Sequence, residues 1–195
     1  MIDNQSEKML NDYINSVINL SPESRIRFIN CFKYQQFPKK HLLIRQDQVA
    51  HYLYFIIKGA AREFYDAEEK EITNWITCEN EFVTSFASFI SGKPSNQNID
   101  LIEDSVLLSI SRSDLYNLYD QHRDIERFAR LVIEKHYCWL EEHIIFQKST
   151  SAKEKYDNLV KFEPHMINRF PLGYIASYLG ISQETVSRVR AGKPY

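Results

Sequence analysis

The stretch Leu172-Gly173-Tyr174-Ile175-Ala176-Ser177-Tyr178-Leu179-Gly180-Ile181-Ser182-Gln183-Glu184-Thr185-Val186-Ser187-Arg188-Val189 decides the architecture of the C-terminal part of the chain. Ala176 is small where two crossing helices must approach closely. Gly180, four residues later, stands where a turn often needs a positive φ. Ile175, Leu179, Ile181, Val186 and Val189 have the spacing to share one core between two short helices, and Ser182 is placed to cap the second. The pattern predicts a helix-turn-helix whose second helix turns its N-terminal residues toward a DNA groove. The outward residues are Gln183, Glu184, Ser187 and Arg188. Their chemistry suits base edges: Arg bridges two acceptors of guanine, Glu accepts from cytosine and Gln pairs with adenine. Thr185, Arg190 and Lys193 are placed to reach phosphate, which fixes register without reading sequence. With the capping Ser182, this set predicts a double-stranded DNA interface. The bland alternative is a purely structural helical hairpin.

Charge follows the same division. From Lys148 to Tyr195 there are eight basic and four acidic residues, a net +4 on a chain whose total is −2, so the remainder carries −6. A basic end on an acidic body is the footprint of a protein that meets phosphate at one end only. Upstream, Ser151 and Glu154 form a capping box that opens a helix to about Phe162, ended by Pro164. Before it, Asp124 caps a long helix to about Gln147. Its stripe includes Ile125, Phe128, Ala129, Val132, Ile133, His136, Trp139, Leu140, His143 and Ile144, broad enough to pack on its own domain and on a partner helix. Ile125, Val132, His136, Trp139 and His143 are the candidate dimer-helix residues. An ordinary core helix is the alternative.

Between Phe32 and Ile110 the period changes. Leu42–Ile44, Tyr52–Ile57, Ala60–Tyr65, Ile72–Ile76, Ile99–Ile102 and Val106–Ile110 are short runs rich in β-branched and aromatic residues, punctuated by Gly59, Asp66 to Lys70 and Gly92-Lys93-Pro94. Many short strands at this spacing imply an antiparallel sandwich, barrel or jelly roll. Helices are expected before it, from Glu7 to Asn19 and from Ser21-Pro22 onward, and after it over Ser113–Tyr119. Hydrophobic content of 44% with 26% charged residues is globular. No run approaches the roughly 18 apolar residues of a membrane span, and Met1 to Leu20 does not read as a secretory signal. Cys31, Cys78 and Cys138 form neither a disulfide framework nor a CxxC pair. A cytoplasmic protein without membrane contact is expected.

The chain resembles the Crp/Fnr family of transcription regulators over nearly its whole length. Ser182-Gln183-Glu184-Thr185-Val186-Ser187-Arg188 is similar to that family's recognition helix, usually Ser-Arg-Glu-Thr-Val-x-Arg. Glu184 and Arg188 match the base-reading positions, and Gln183 replaces a frequent Arg, which alters the preferred operator. Leu53-Tyr54-Phe55-Ile56-Ile57-Lys58-Gly59 resembles the strand and Gly turn of the family's cyclic-nucleotide-binding β-roll. The resemblance implies an α+β chain with an N-terminal antiparallel β-roll (a jelly roll of the cyclic-nucleotide-binding type), a long dimerisation helix and a C-terminal helix-turn-helix. It also implies a homodimer reading a roughly palindromic site, with RNA polymerase as a further partner. The implied division is a sensor over 1–122, a dimer helix over 123–148 and a DNA-binding domain over 149–195. Only a few residues follow the recognition helix, so the β-hairpin wing of many relatives is not expected, and DNA binding should be strongly salt-dependent. The N-terminal Cys cluster of Fnr-like oxygen sensors is not expected either.

In nucleotide-binding relatives a Gly-Glu pair and an Arg-Ser pair hold the ribose and the cyclic phosphate. Aligning Asn80-Glu81-Phe82-Val83 and Gly92 with that cassette puts Thr84 and Ser85 at the first pair and Ser95 and Asn96 at the second, so both charged anchors are missing. Without a guanidinium a buried phosphate loses about 1.5–3 kcal/mol of charge-assisted bonding. Two readings stay open. In one, Phe82, Thr84, Ser85, Phe86, Ser88, Ser95 and Asn96 line a pocket retuned for an uncharged or aromatic effector. In the other the roll is a scaffold that senses nothing. His136 and His143, seven apart on one helix face, offer a pH or metal response or simply serve the interface. A cupin-like metal enzyme is the alternative from another class, but His41 and His51 are ten apart and no HxH occurs among the strands. No enzyme, cofactor or metal site is expected. At the sequence level the reading is a sequence-specific DNA-binding regulator, in which a signal at the roll resets the separation of two recognition helices.

Overall fold

The computed structural model describes residues 2–67 and 70–191, apart from the side chain of Ser149. Two helices open the chain. α1 (Asn4–Val17) begins earlier than the apolar pattern suggests, because the Asp3 carboxylate accepts the Gln5 and Ser6 backbone N–H groups. α2 (Pro22–Asn30) is opened by Ser21 and Pro22, as expected. Among the described residues eight strands follow: β1 (Lys33–Phe37), β2 (Leu42–Ile44), β3 (Tyr52–Lys58), β4 (Ala61–Ala67), β5 (Lys70–Thr77), β6 (Phe82–Val83), β7 (Asn98–Leu101) and β8 (Ser105–Ser111). A short helix, α3 (Phe86–Ser91), sits between β6 and β7.

The strands form two antiparallel four-stranded sheets, β1-β8-β3-β6 and β2-β7-β4-β5. The β3–β4 turn depends on Gly59 (φ +98°), since a Cβ there would overlap the Ser105 side chain. The sequence does not announce β1, β6 or α3. β1 carries two glutamines and no β-branched residue, and its strand state comes from its pairing with β8, Lys33↔Ser109 through Phe37↔Ser105. Tertiary pairing here overrides local propensity.

After the roll come α4 (Arg112–Gln121), α5 (Arg123–Ser149), α6 (Ala152–Phe162), α7 (Pro164–Arg169), α8 (Leu172–Tyr178) and α9 (Gln183–Arg190). At 27 residues, α5 is about 40 Å long. Asp124 does not cap it: His122 occupies that position, and the Asp124 carboxylate instead accepts the Ser21 N–H (2.8 Å) and the Ser24 hydroxyl (2.6 Å), tying α5 to α2. Ser151 and Glu154 do form the expected capping box of α6. The segment between α6 and α8 is the helix α7, not a hairpin.

One core joins α1, α2 and the start of α5 to the roll through Leu10, Ile14, Phe28, Phe55, Ile125 and Phe128. A second joins Ala60, Ile76 and Ile102 of the roll to Tyr156, Phe170, Ile175 and Val186 of the C-terminal helices. The architecture is α+β. Among the described residues no helix is long and apolar enough to cross a membrane.

Candidate nucleic-acid interface and sensor pocket

The turn between α8 and α9 is built from backbone bonds that require its sequence. Ile181 N–H donates to the Ala176 carbonyl and Gly180 N–H to that of Ser177, both at 3.0 Å, with Gly180 at φ +65°. This paired 6→1 and 5→2 closure needs a residue tolerant of the left-handed region at Gly180. Ser182 then caps α9, its hydroxyl accepting the Thr185 N–H at 3.1 Å. Ala176 is buried at the crossing, and Ile175, Leu179 and Val186 are buried with it, while Ile181 and Val189 are half-buried. Gly173 has its own reason: a Cβ there would lie 2.7 Å from the Gln183 amide nitrogen, so this side chain lies against the start of α8.

The predicted DNA-facing residues fall together on one surface. Ser182, Gln183, Glu184, Ser187, Arg188 and Arg190 are exposed and Thr185 is half-buried. Lys193 lies outside the described residues. Glu184 stands in the first turn of α9 and Arg188 and Arg190 in its last, each sign at the helix end that favours it. The hairpin is therefore folded by its apolar side, and the opposite side presents a mixed set of donors and acceptors.

The cassette of the roll has the reverse character. Thr84, Ser85, Ser88 and Ser95 are each 2% exposed or less. The Thr84 hydroxyl donates to the Tyr52 carbonyl (2.9 Å), Ser88 to that of Lys93 (2.5 Å), and Ser95 contacts both Ser85 Oγ (2.9 Å) and the Gln97 carbonyl (2.7 Å). Ser88 Oγ also accepts the Ala50 N–H at 2.9 Å. Asn96 is exposed. The structure thus separates the seven residues read as one pocket. The hydroxyls close the loop on itself, whereas Phe82 and Phe86 face away from them toward α5. There, with Phe28, Phe89, Tyr119 and Phe128, they line an apolar crevice of about 420 Å³ between the roll and α5.

Among the described residues no cation stands in for the missing guanidinium. Arg62 is buried, but it pairs with Asp100 (3.0 Å) and Glu71 (2.7 Å) between the rings of Phe64 and Tyr174. Arg112 donates to the Phe89 and Ile90 carbonyls, and Lys93 is exposed. Glu63, bonded by the Gln97 amide at 2.8 Å, has its carboxyl pushed up to about 7 by burial. Among the described residues no three His, Cys, Asp or Glu side chains gather in a metal-binding group, and His41 stacks on Phe37.

The stripe of α5 serves two surfaces, and the candidate dimer residues are spread over both. Ile125 is fully buried in the roll's core and so closed to a partner, while Val132 packs half-buried against that core. His136, Trp139 and His143 turn to Trp75 of β5, with Trp75–Trp139 centroids 3.9 Å apart and His143 stacked on Trp139 at 4.8 Å. Burial holds both histidines below their ordinary pKa, helped at His143 by the charge of Lys155. Ile133, Tyr137, Leu140 and Ile144 face outward, between 37% and 58% exposed and spaced 4-3-4, and Trp139 keeps one side open at 38%. The stripe was broad because it serves two surfaces, and the periodicity alone did not say which residue serves which.

Sequence reasoning also missed the contacts that seat the C-terminal helices on the roll. Arg169 of α7 binds Glu79 and Glu103 through pairs at 2.6 Å, and the Ser177 hydroxyl accepts the Thr73 N–H at 2.8 Å. Arg169 is held firmly protonated by those two carboxylates. Isolated charges dozens of residues apart carry no sequence signal of their pairing.

Residues 34–122 match the family model described as the cyclic nucleotide-binding domain. No curated protein sequence matches the chain. Among solved structures, FixK2 from Bradyrhizobium japonicum superposes with a TM-score of 0.70 at 19% identity, covering 83% of each chain. The c-di-GMP responsive global regulator CLP of Xanthomonas campestris gives 0.66 at 16% identity, over 88% of this chain and 91% of its own. A CooA mutant from Carboxydothermus hydrogenoformans gives 0.66 at 17% identity, over 94% and 83%. The chain thus carries a cyclic nucleotide-binding domain over residues 34–122, and with its long helix and C-terminal helix-turn-helix it shares the overall fold of these solved structures.

Proposed function

We propose that the protein is a sequence-specific, DNA-binding transcription regulator that works as a homodimer. The observation that carries this reading is the contrast within α9: Val186 is fully buried, while Gln183, Glu184, Ser187 and Arg188 are exposed on the other side. Arg188 and Glu184 read base edges, and Ser182, Thr185 and Arg190, with Lys193 beyond the described residues, hold the backbone. The functional division is a sensor over 1–122, a dimer helix over 123–148 and a DNA-binding unit over 149–195. Ile133, Tyr137, Leu140 and Ile144 supply the dimer seam, since 4-3-4 spacing is that of a helix packed on a like helix. A DNA-bound dimer of this kind acts through RNA polymerase, the protein partner the reading implies.

The roll does not use a cyclic nucleotide. Its cassette hydroxyls are engaged with one another and with backbone, and among the described residues the cations near the loop are committed or solvated, Arg112 to the Phe89 and Ile90 carbonyls and Lys93 in solvent. The crevice between Phe82, Phe86 and α5 is of ligand size and almost wholly apolar, which favours an uncharged effector over a silent scaffold. An occupant there bears directly on α5 and shifts how two such helices cross, a population shift between DNA-competent and incompetent dimers.

Binding of the purified protein to a random-sequence duplex across a salt series tests the DNA-binding core of this reading. Affinity should fall steeply with salt, with a log–log slope near −0.9 per phosphate neutralised. Affinity too weak to measure at low salt would overturn it.

A further inference from the structure

Lys155, on α6, is nine-tenths buried. Its ammonium has one hydrogen-bond acceptor, the Leu179 carbonyl at 3.2 Å, and no carboxylate within ion-pair distance among the described residues. Burying a charge without a counter-ion is costly, and an ammonium has three donors to satisfy. One bond to a helix-end carbonyl leaves two N–H groups unused.

The unused donors adjoin a cavity of about 320 Å³ where α5, α6 and the end of α8 meet. Trp139, Phe146, Leu159 and Tyr178 contribute apolar walls. Gln147 also lines it, but its amide nitrogen is occupied, donating to the Tyr178 carbonyl at 3.0 Å and meeting His143 Nε2 at 3.3 Å. His143 is held neutral. Lys155 is therefore the one cation among the lining residues. Glu142 and Glu163 stand exposed at the opening, and their charge disfavours a polyanion such as a nucleotide.

We propose that this cavity binds a small organic monocarboxylate, its carboxylate on Lys155 Nζ and its apolar body against Trp139, Phe146 and Leu159. The site lies away from the roll's cassette and crevice. It touches the two side chains, Lys155 and Gln147, that hold the carbonyl end of α8, so its occupant reaches the turn that orients α9. That consequence rests on the regulator reading. Binding itself is measured without DNA, so a failure here and a failure of DNA binding are separate results.

The chain's only tryptophans are Trp75 and Trp139, which contact each other at the cavity wall, so intrinsic fluorescence reports the site. The full-length protein is titrated with benzoate, 4-phenylbutyrate and octanoate, each beside its neutral primary amide, by fluorescence and calorimetry. At least one carboxylate should bind at millimolar concentration or below, and its amide about tenfold or more weaker. Lys155→Met, which keeps the apolar stem, should remove that preference. Should this variant prove unstable, Phe162→Ala tests the wall instead: Phe162 lines the cavity and is 67% exposed, so its loss leaves the fold intact and weakens the carboxylate severalfold. No saturable binding of any of the three acids, or equal affinity for acid and amide, would overturn the assignment.

Discussion

Two polar stretches of the molecule, Thr84 to Asn96 in the roll and Ser182 to Arg190 in the helix-turn-helix, differ in where their side chains end. In the first, the hydroxyls of Thr84, Ser85, Ser88 and Ser95 turn inward and bond to each other or to backbone. In the second, the Ser182 hydroxyl caps α9 and meets that of Thr185, Gln183 lies against α8, and Glu184, Ser187 and Arg188 end in solvent. Buried polar groups must be satisfied internally, so a satisfied loop has nothing left for a ligand. An exposed polar surface on a rigid, capped helix keeps its hydrogen-bonding capacity for a partner. The roll's cassette is closed on itself, and α9 keeps its polar side open.

The sharpest way to break this comparison is to separate the two copies of α9. Leu140→Asp together with Ile144→Asp puts charge into the proposed seam. Sedimentation should then show a monomer, and DNA affinity should fall by about 10²–10⁴ as the avidity of paired half-sites is lost. Next, Arg188→Ala should cost about 1–3 kcal/mol of specific binding and relax base preference at one position, read by anisotropy on matched and mismatched duplexes. Gly180→Ala forces a side chain into the left-handed region and should lower stability by about 1–2 kcal/mol in denaturant melts.

On the roll's side of the comparison, Ser95→Ala should cost about 0.5–1.5 kcal/mol of stability through its three lost contacts, with DNA affinity unchanged. The smallest effect concerns His136 and His143. Their folded pKa values lie below the ordinary 6.5, so the folded state binds fewer protons than the unfolded one. Stability from this source is complete above 6.5 and is lost as pH falls through the depressed values. His136→Phe should flatten the acid side of a pH–stability profile.

The helix-turn-helix was legible because each of its constraints is local: Gly180 for φ, Ala176 for approach, Ser182 for the cap. All lie within a few residues of what they control. The roll was legible as strands wherever β-branched residues cluster, and illegible at β1, where pairing with β8 makes a strand of Lys-Tyr-Gln-Gln-Phe. The seven cassette residues do not sit together because the segment passes from β6 into α3 within a few residues, so Phe82 and Phe86 line the crevice while the hydroxyls of Thr84, Ser85, Ser88 and Ser95 bond back into the loop. Of the candidate dimer residues Ile125 is buried in its own domain, and Val132, His136, Trp139 and His143 are partly covered by the same chain, which a helical stripe does not reveal. Trp75, more than sixty residues away, supplies that cover for three of the five. Lys155 and Arg169 drew no attention, since a lone cation in sequence looks like any solvated one.

Selection of bound sequences from a random duplex pool tests the central claim most directly. The account predicts enrichment of an inverted repeat whose half-sites lie about one helical turn, roughly 10–10.5 base pairs, apart centre to centre. A pool that stays random after repeated rounds, or an enriched site without twofold symmetry, would contradict it.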